Sequence, residues 1–142
     1  MGMQFDIPSI VNEENADYYK HLKAREFRLQ KCGSCGYIRT PPRRECPECL
    51  SEEYSWERMS GNATVQTYTW YFKDVLDPRY TNQWSWREPP YNVAFVKLVE
   101  GPNLITNIER TTFEELRVGL RVTPVFVDIS PEYAILRFAL QT

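Results

Sequence analysis

The sequence predicts a mainly β protein: an N-terminal helix, a small cysteine module and a C-terminal five-stranded barrel. Three observations carry this reading. All four cysteines fall in KCGSCGYIRTPPRRECPECL, residues 31–50, as two C-x-x-C pairs. From residue 61 onward, five runs rich in Val, Thr, Tyr, Phe and Trp are separated by turn residues. Between the third and fourth runs lies TTFEELRVG, where Thr111 or Thr112 can cap a short helix that ends at Gly119.

A chain of 142 residues has room for one modest domain and an appendage. Its 42% hydrophobic and 25% charged content excludes wholesale disorder. No apolar run approaches the roughly 20 residues of a membrane helix. The opening MGMQFDIPSIVNEEN has neither the basic nor the apolar region of a secretory signal. A cytoplasmic protein with no membrane partner is expected, and in a reducing cytosol paired C-x-x-C motifs point to metal ligands rather than disulfides.

The first element is a helix over 12–29, with Asn12 as N-cap and Glu13 and Glu14 in its first turn. Tyr18, Leu22, Arg25 and Leu29 recur at spacings of three and four. So thin an apolar stripe is expected to dock beyond its own domain, with Tyr18, Tyr19, Leu22 and Phe27 at a protein interface and packing on the barrel as the alternative. His21, the single histidine, reads as a surface residue. From residue 20 to residue 44 the chain carries eight basic residues against Glu26 alone, a local charge of +7 that leaves −9 for the rest. Such a patch attracts phosphate or an acidic partner, or is a solvated face.

The cysteine module, about 28–56, has no helix-length or strand-length apolar run, and Pro41, Pro42 and Pro47 interrupt it. A metal has to organise it. Cys32 and Cys35, and Cys46 and Cys49, are each two residues apart, with ten residues between the pairs. Two such turns bring four thiolates around one ion, and a closed four-sulfur site leaves no position for water or substrate. One structural Zn2+ per chain is expected. Rubredoxin-like iron suits the same ligands.

The strands are ATVQTYTWYF, YNVAFVKLVEG, NLITNIE, RVTPVFVDI and YAILRFAL, with EGPN as a hairpin turn. Five strands with one helix between the third and fourth is the element order of an OB barrel, and a generic β-sandwich is the alternative. The connection over 74–90 holds Trp84 and Trp86 and is longer than joining two strands requires. We expect it to reach the substrate entrance of a partner, with closure of one barrel end as the alternative. Catalytic signatures are missing: there is no G-x-S-x-G, glycine-rich phosphate loop or H-E-x-x-H. Asp74, Asp77 and Glu88 share the long connection as candidates for a carboxylate dyad, with solvated loop charges the favoured reading.

Three stretches carry a resemblance: FRLQKCGSCGYIRTPPRRECPECLSEEYSWERMSGNATVQTYTWY, YNVAFVKLVEGPNLITNI and FEELRVGLRVTPVF. They resemble the DUF35 family, which joins a rubredoxin-like zinc ribbon to an OB-fold. The resemblance covers nearly the whole chain and implies three parts: a helical segment 1–29, a ribbon 30–58 and an OB-fold domain 59–142. It implies a non-catalytic accessory subunit of an enzyme complex acting on acyl-CoA. A thiolase is the favoured partner because no hydratase is fused to the chain, and a thiolase-like aldolase or a hydratase is the alternative. By position, Cys32, Cys35, Cys46 and Cys49 are the metal ligands. Contacts to the partner, or to CoA or acyl-CoA held jointly with it, are expected from Tyr18, Tyr19, Leu22, Arg39, Arg43, Arg44, Trp84 and Trp86. Leu50 departs from the family, in which many members have Gly after the last cysteine.

Two other classes stay open. Single-stranded nucleic acid can stack on Tyr68, Trp70 and Tyr71, although the negative charge of the barrel half opposes it. An enzyme in its own right rests only on the acids of the long connection.

Overall fold

The structure is a computed structural model that describes residues 11–72 and 90–141. Helix α1 spans Ala16–Lys23. Strands β1 (Arg28–Cys32), β2 (Ile38–Arg39) and β3 (Tyr54–Arg58) form a three-stranded antiparallel sheet in the order β2-β1-β3. The remaining strands are β4 (Ala63–Tyr71), β5 (Tyr91–Leu98), β6 (Asn103–Thr106), β7 (Ile108–Glu109), β8 (Arg121–Asp128) and β9 (Ala134–Leu140). They form a six-stranded sheet in the order β6-β5-β4-β8-β9-β7. The acids and tryptophans of the long connection, Asp74, Asp77, Trp84, Trp86 and Glu88, lie outside the described residues.

The helix is shorter than the spacing predicts, and the reason is local. Asn12 does not cap it: the Asn12 side chain accepts from the amides of Glu14 and Asn15 in a turn before the helix, at 2.9 and 3.0 Å. At the far end the Arg25 amide donates to Leu22 O and the Glu26 amide to His21 O, the bond pair of a Schellman stop. Glycine is the usual residue there. Here Arg25 holds the left-handed conformation at φ +64, and its guanidinium makes two bonds to the Asp128 carboxylate, at 2.8 and 3.1 Å. After this reversal Arg28 enters a strand, so the predicted last turn of helix is β1.

That reversal turns α1 and β1 inward. Leu22, Phe27 and Leu29 join Met59, Val65, Val96, Leu116 and Phe138 in one buried cluster, and Phe27 packs edge-on against Phe138 with centroids 6.5 Å apart. Each such burial contributes about 1.5–3 kcal/mol. The expectation that Leu22 and Phe27 face a partner is therefore corrected: both complete the core of their own chain. Tyr18 is half-buried against the same core, and desolvation pushes its phenol well above the usual range. His21 is no free surface residue either, since it packs edge-on against Trp56 of β3 at 5.3 Å.

The predicted third strand of the barrel is broken at Asn107 into β6, which pairs with β5, and β7, which pairs in parallel with β9. The ladder is open, yet its two edge strands are consecutive in the chain. Buried Asn92 of β5 spans the break: its amide nitrogen donates to Ile108 O at 2.9 Å, and its oxygen accepts from Ile108 N at 2.7 Å. Asn107 donates back to Asn92 O. Side-chain amides here stand in for missing ladder bonds, as buried backbone groups require.

The predicted helix over TTFEELRVG is a correction as well. It forms only a capped turn, in which Thr112 accepts from the amides of Glu115 and Leu116. Leu116 is fully buried and the Gly119 amide donates to Val65 O, so the chain is pulled back to the sheet before a second turn can form.

Between β3 and β4, Gly61 is buried at φ +83, and a Cβ there would meet Pro124 Cγ at 2.2 Å. Gly61→Ala is expected to cost about 2–4 kcal/mol from left-handed strain plus overpacking, read as a shift in the denaturation midpoint. A loss below about 0.5 kcal/mol would show that the approach of β8 to this turn is not fixed.

The half-exposed latch of Lys23 and Arg25 on Asp128 lowers that carboxyl from 3.8 to about 2, chiefly through the Arg25 bond and then the Lys23 bond. Its contribution is present above pH 3.8 and lost as pH falls through about 2. An NMR titration of Asp128 is expected to show that low midpoint, returning toward 3.8 in the Lys23→Ala, Arg25→Ala double variant. An ordinary midpoint in the unmodified chain would remove the latch.

Candidate metal centre

The β1–β2 turn presents Cys32 and Cys35, and the loop before β3 presents Cys46 and Cys49. Their four sulfurs lie within 4.8 Å of one another, with Cys32 Sγ to Cys49 Sγ and Cys35 Sγ to Cys46 Sγ both at 3.6 Å. Four thiolates at about 2.3 Å from a tetrahedral ion stand about 3.8 Å apart, so this cage fits zinc.

The two knuckles repeat one backbone design. In the first, the Gly36 amide donates to Cys32 O and the Cys32 amide to Tyr37 O, at 3.0 and 2.8 Å. In the second, the Leu50 amide donates to Cys46 O and the Cys46 amide to Ser51 O, at 2.8 and 2.9 Å. The amides of Ser34 and Cys35 point at Cys32 Sγ, and that of Glu48 at Cys46 Sγ, each at 3.4 Å. The residue after each pair is left-handed: Gly36 at φ +80 and Leu50 at φ +65. Glycine takes this conformation freely, whereas a leucine pays about 1–2 kcal/mol.

Amide donation favours thiolate. The bonds from Cys35 and Ser34 hold the Cys32 thiol down at about 6. At Cys35 the Tyr37 amide pulls downward, but desolvation and the neighbouring sulfurs push the thiol up to about 12. Four sulfurs so close cannot all ionise alone. A dication resolves the conflict by stabilising every thiolate, so metal binding releases protons and weakens in acid.

Behind the knuckles lies a polar network built on Arg39, which the sequence places at a partner contact. Gln30 and Arg39, both buried, are register partners on β1 and β2. Gln30 Oε1 accepts from Arg39 Nε at 3.0 Å and from the Arg43 amide at 2.8 Å. Arg39 also donates to the carbonyls of Arg43 and Arg44, and its guanidinium lies 5.0 Å from the Tyr54 ring centroid. The expected surface contact at Arg39 is thus corrected to an internal tie that fixes the path into the second knuckle. Much of the predicted basic patch is engaged within the chain, because Lys23 and Arg25 pair with Asp128 and Arg28 with Glu26. Lys20, Arg43 and Arg44 remain exposed.

The other expected contacts are scattered. Tyr19 borders a groove of about 440 Å³ with Pro41, Pro42, Phe95 and Ile105. Among the rings offered for base stacking, Tyr68 donates to Leu116 O, Trp70 packs with Phe72 and Phe113, and Tyr71 stacks on Tyr91 at 5.0 Å. No helix among the described residues is long and apolar enough to cross a membrane.

One zinc per chain is expected by metal analysis. Chelation is expected to expose the amides of 33–37 and 46–53 to hydrogen exchange while β4, β5, β8 and β9 stay protected. Cys46→Ser should do the same. Stoichiometric iron would overturn the zinc assignment, and full protection of the knuckles in metal-free protein would overturn the folding role.

Comparison with known proteins agrees with this geometry. The family model "ChsH2, rubredoxin-like zinc ribbon domain" matches residues 20–55, and "ChsH2, C-terminal OB-fold domain" matches residues 56–127. A "Probable enoyl-CoA hydratase alpha subunit" of Thermomonospora curvata is 29% identical over 126 residues, 88% of this chain but 37% of that protein's length. A "DUF35 domain-containing scaffold protein" of Pyrococcus furiosus is 30% identical over 110 residues, covering 76% of this chain and 74% of that one. The solved "Ltp2-ChsH2(DUF35) aldolase" superposes with a TM-score of 0.76 at 27% identity, over 92% of this chain and 97% of that one. The chain belongs to the DUF35 family, in which a ChsH2-type rubredoxin-like zinc ribbon runs into an OB-fold.

Proposed function

We propose that the chain is a non-catalytic scaffold subunit of an acyl-CoA-processing complex whose enzyme subunit is a thiolase. The observation that carries the scaffold reading is the closed four-sulfur centre, which suits a structural metal and leaves no ligand position for substrate. The scaffold and acyl-CoA enzyme names of its relatives support the same reading. An aldolase is the second reading for the partner, favoured by the match to nearly the full length of the ChsH2 chain in the aldolase structure.

In this reading Tyr18, Tyr19 and the exposed Arg43 and Arg44 contribute to the contact with the enzyme subunit or with CoA held jointly by both chains. Two guanidiniums suit CoA phosphates. Trp84 and Trp86 remain proposed contacts on sequence grounds alone.

Affinity purification of the tagged chain from its native source is expected to bring down a thiolase-fold subunit, with turnover of acyl-CoA by the complex and none by the chain alone. An aldolase without thiolase activity in the complex would favour the second reading. A complex with no acyl-CoA enzyme would refute both, and turnover by the isolated chain would contradict the non-catalytic assignment.

A further inference from the structure

The second knuckle carries a side chain that its backbone does not need. Gly36 performs the same turn in the first knuckle with no side chain, whereas Leu50 adopts it under strain and leaves its side chain 75% exposed. Arg25, also left-handed, is held there by Asp128. Leu50 has no such partner, and it lies outside the apolar cluster of the described residues.

Its surroundings are charged in one sense. Glu45, Glu48, Glu52 and Glu53 are all exposed, no base lies within residues 45–53, and none of the four forms an ion pair among the described residues. A zinc tetrathiolate adds a formal charge of about −2. Arg43 and Arg44 precede this segment, where Arg39 ties down their carbonyls. The centre itself is covered on one side only, since Cys32 and Cys46 are buried while Cys35 and Cys49 are exposed.

We propose that the second zinc knuckle is a docking tip. Leu50 inserts into an apolar pocket with a basic rim on the enzyme subunit, and the same contact covers the Cys35 and Cys49 sulfurs. The inference rests on the accessory-subunit reading above. Strain kept at an exposed apolar residue is a stability cost that function explains, and the acidic surround selects a basic protein surface while repelling phosphate.

The test uses the enzyme subunit retained by the wild-type chain, with Leu50→Gly, Leu50→Asn and Glu48→Lys/Glu52→Lys variants of the full zinc-loaded chain. Leu50→Gly is expected to raise the thermal midpoint of the ribbon while weakening the complex by about tenfold to a hundredfold, the loss from unburying one leucine. Leu50→Asn, which tolerates the left-handed turn, should weaken binding similarly. The double lysine variant should slow association and flatten its salt dependence. Zinc transfer to a chromogenic chelator should be slower from the complex than from the free chain. If the wild-type chain retains the enzyme subunit and both Leu50 variants bind it equally well, or if zinc transfer is unchanged by the partner, the docking tip is overturned while the scaffold reading stands. If the wild-type chain retains no enzyme subunit, both fall together.

Discussion

The knuckles have no apolar core, and the four-sulfur centre is what gives them a shape. Residues 33–37 and 46–53 are mostly exposed, and none of them, the buried Cys46 included, belongs to the main core cluster. Burial cannot order such a segment. Thiolate coordination can, because it gathers turns that are distant in sequence around one point, and the amide bonds onto Cys32 and Cys46 set the angle at which each turn arrives.

This local constraint reaches the open OB-fold sheet through β1. One end of β1 carries Cys32, and near its other end Leu29 joins the core cluster that also holds Phe138 and Val96. Met59, just beyond β3, donates its amide to Phe27 O at 2.8 Å and is itself buried in that core. Ribbon and OB-fold sheet therefore share one hydrophobic interior, although their strands form two separate ladders. For the proposed scaffold role this matters: a contact made at the knuckles is held in fixed register with contacts made on the OB-fold sheet, and less ordering entropy is lost on assembly.

Much of the architecture was legible in the sequence because its signals are strong and local. The C-x-x-C spacing gives the ligands, and β-rich runs punctuated by Gly, Pro and Asn give the strands. What was not legible came from side chains doing backbone work. Arg25 stops the helix where a glycine would have announced the stop, since a distant carboxylate holds it. Asn92 and Asn107 break and bridge the third strand from inside runs that read as continuous. Arg39 looked like a surface cation, yet Gln30, the carbonyls of Arg43 and Arg44 and the Tyr54 ring absorb it in the ribbon. Leu22 looked too isolated to fill a core, because its neighbours come from β-strands far along the chain.

In the proposed scaffold role, zinc-imposed order in the ribbon is what holds the chain to an enzyme subunit. Native mass spectrometry of the assembled complex, before and after stepwise zinc removal, addresses it most directly. That role requires each lost zinc to release one copy of the chain, leaving free chains with a folded OB-fold sheet and a disordered ribbon. A complex that keeps its full mass after losing its zinc would contradict it.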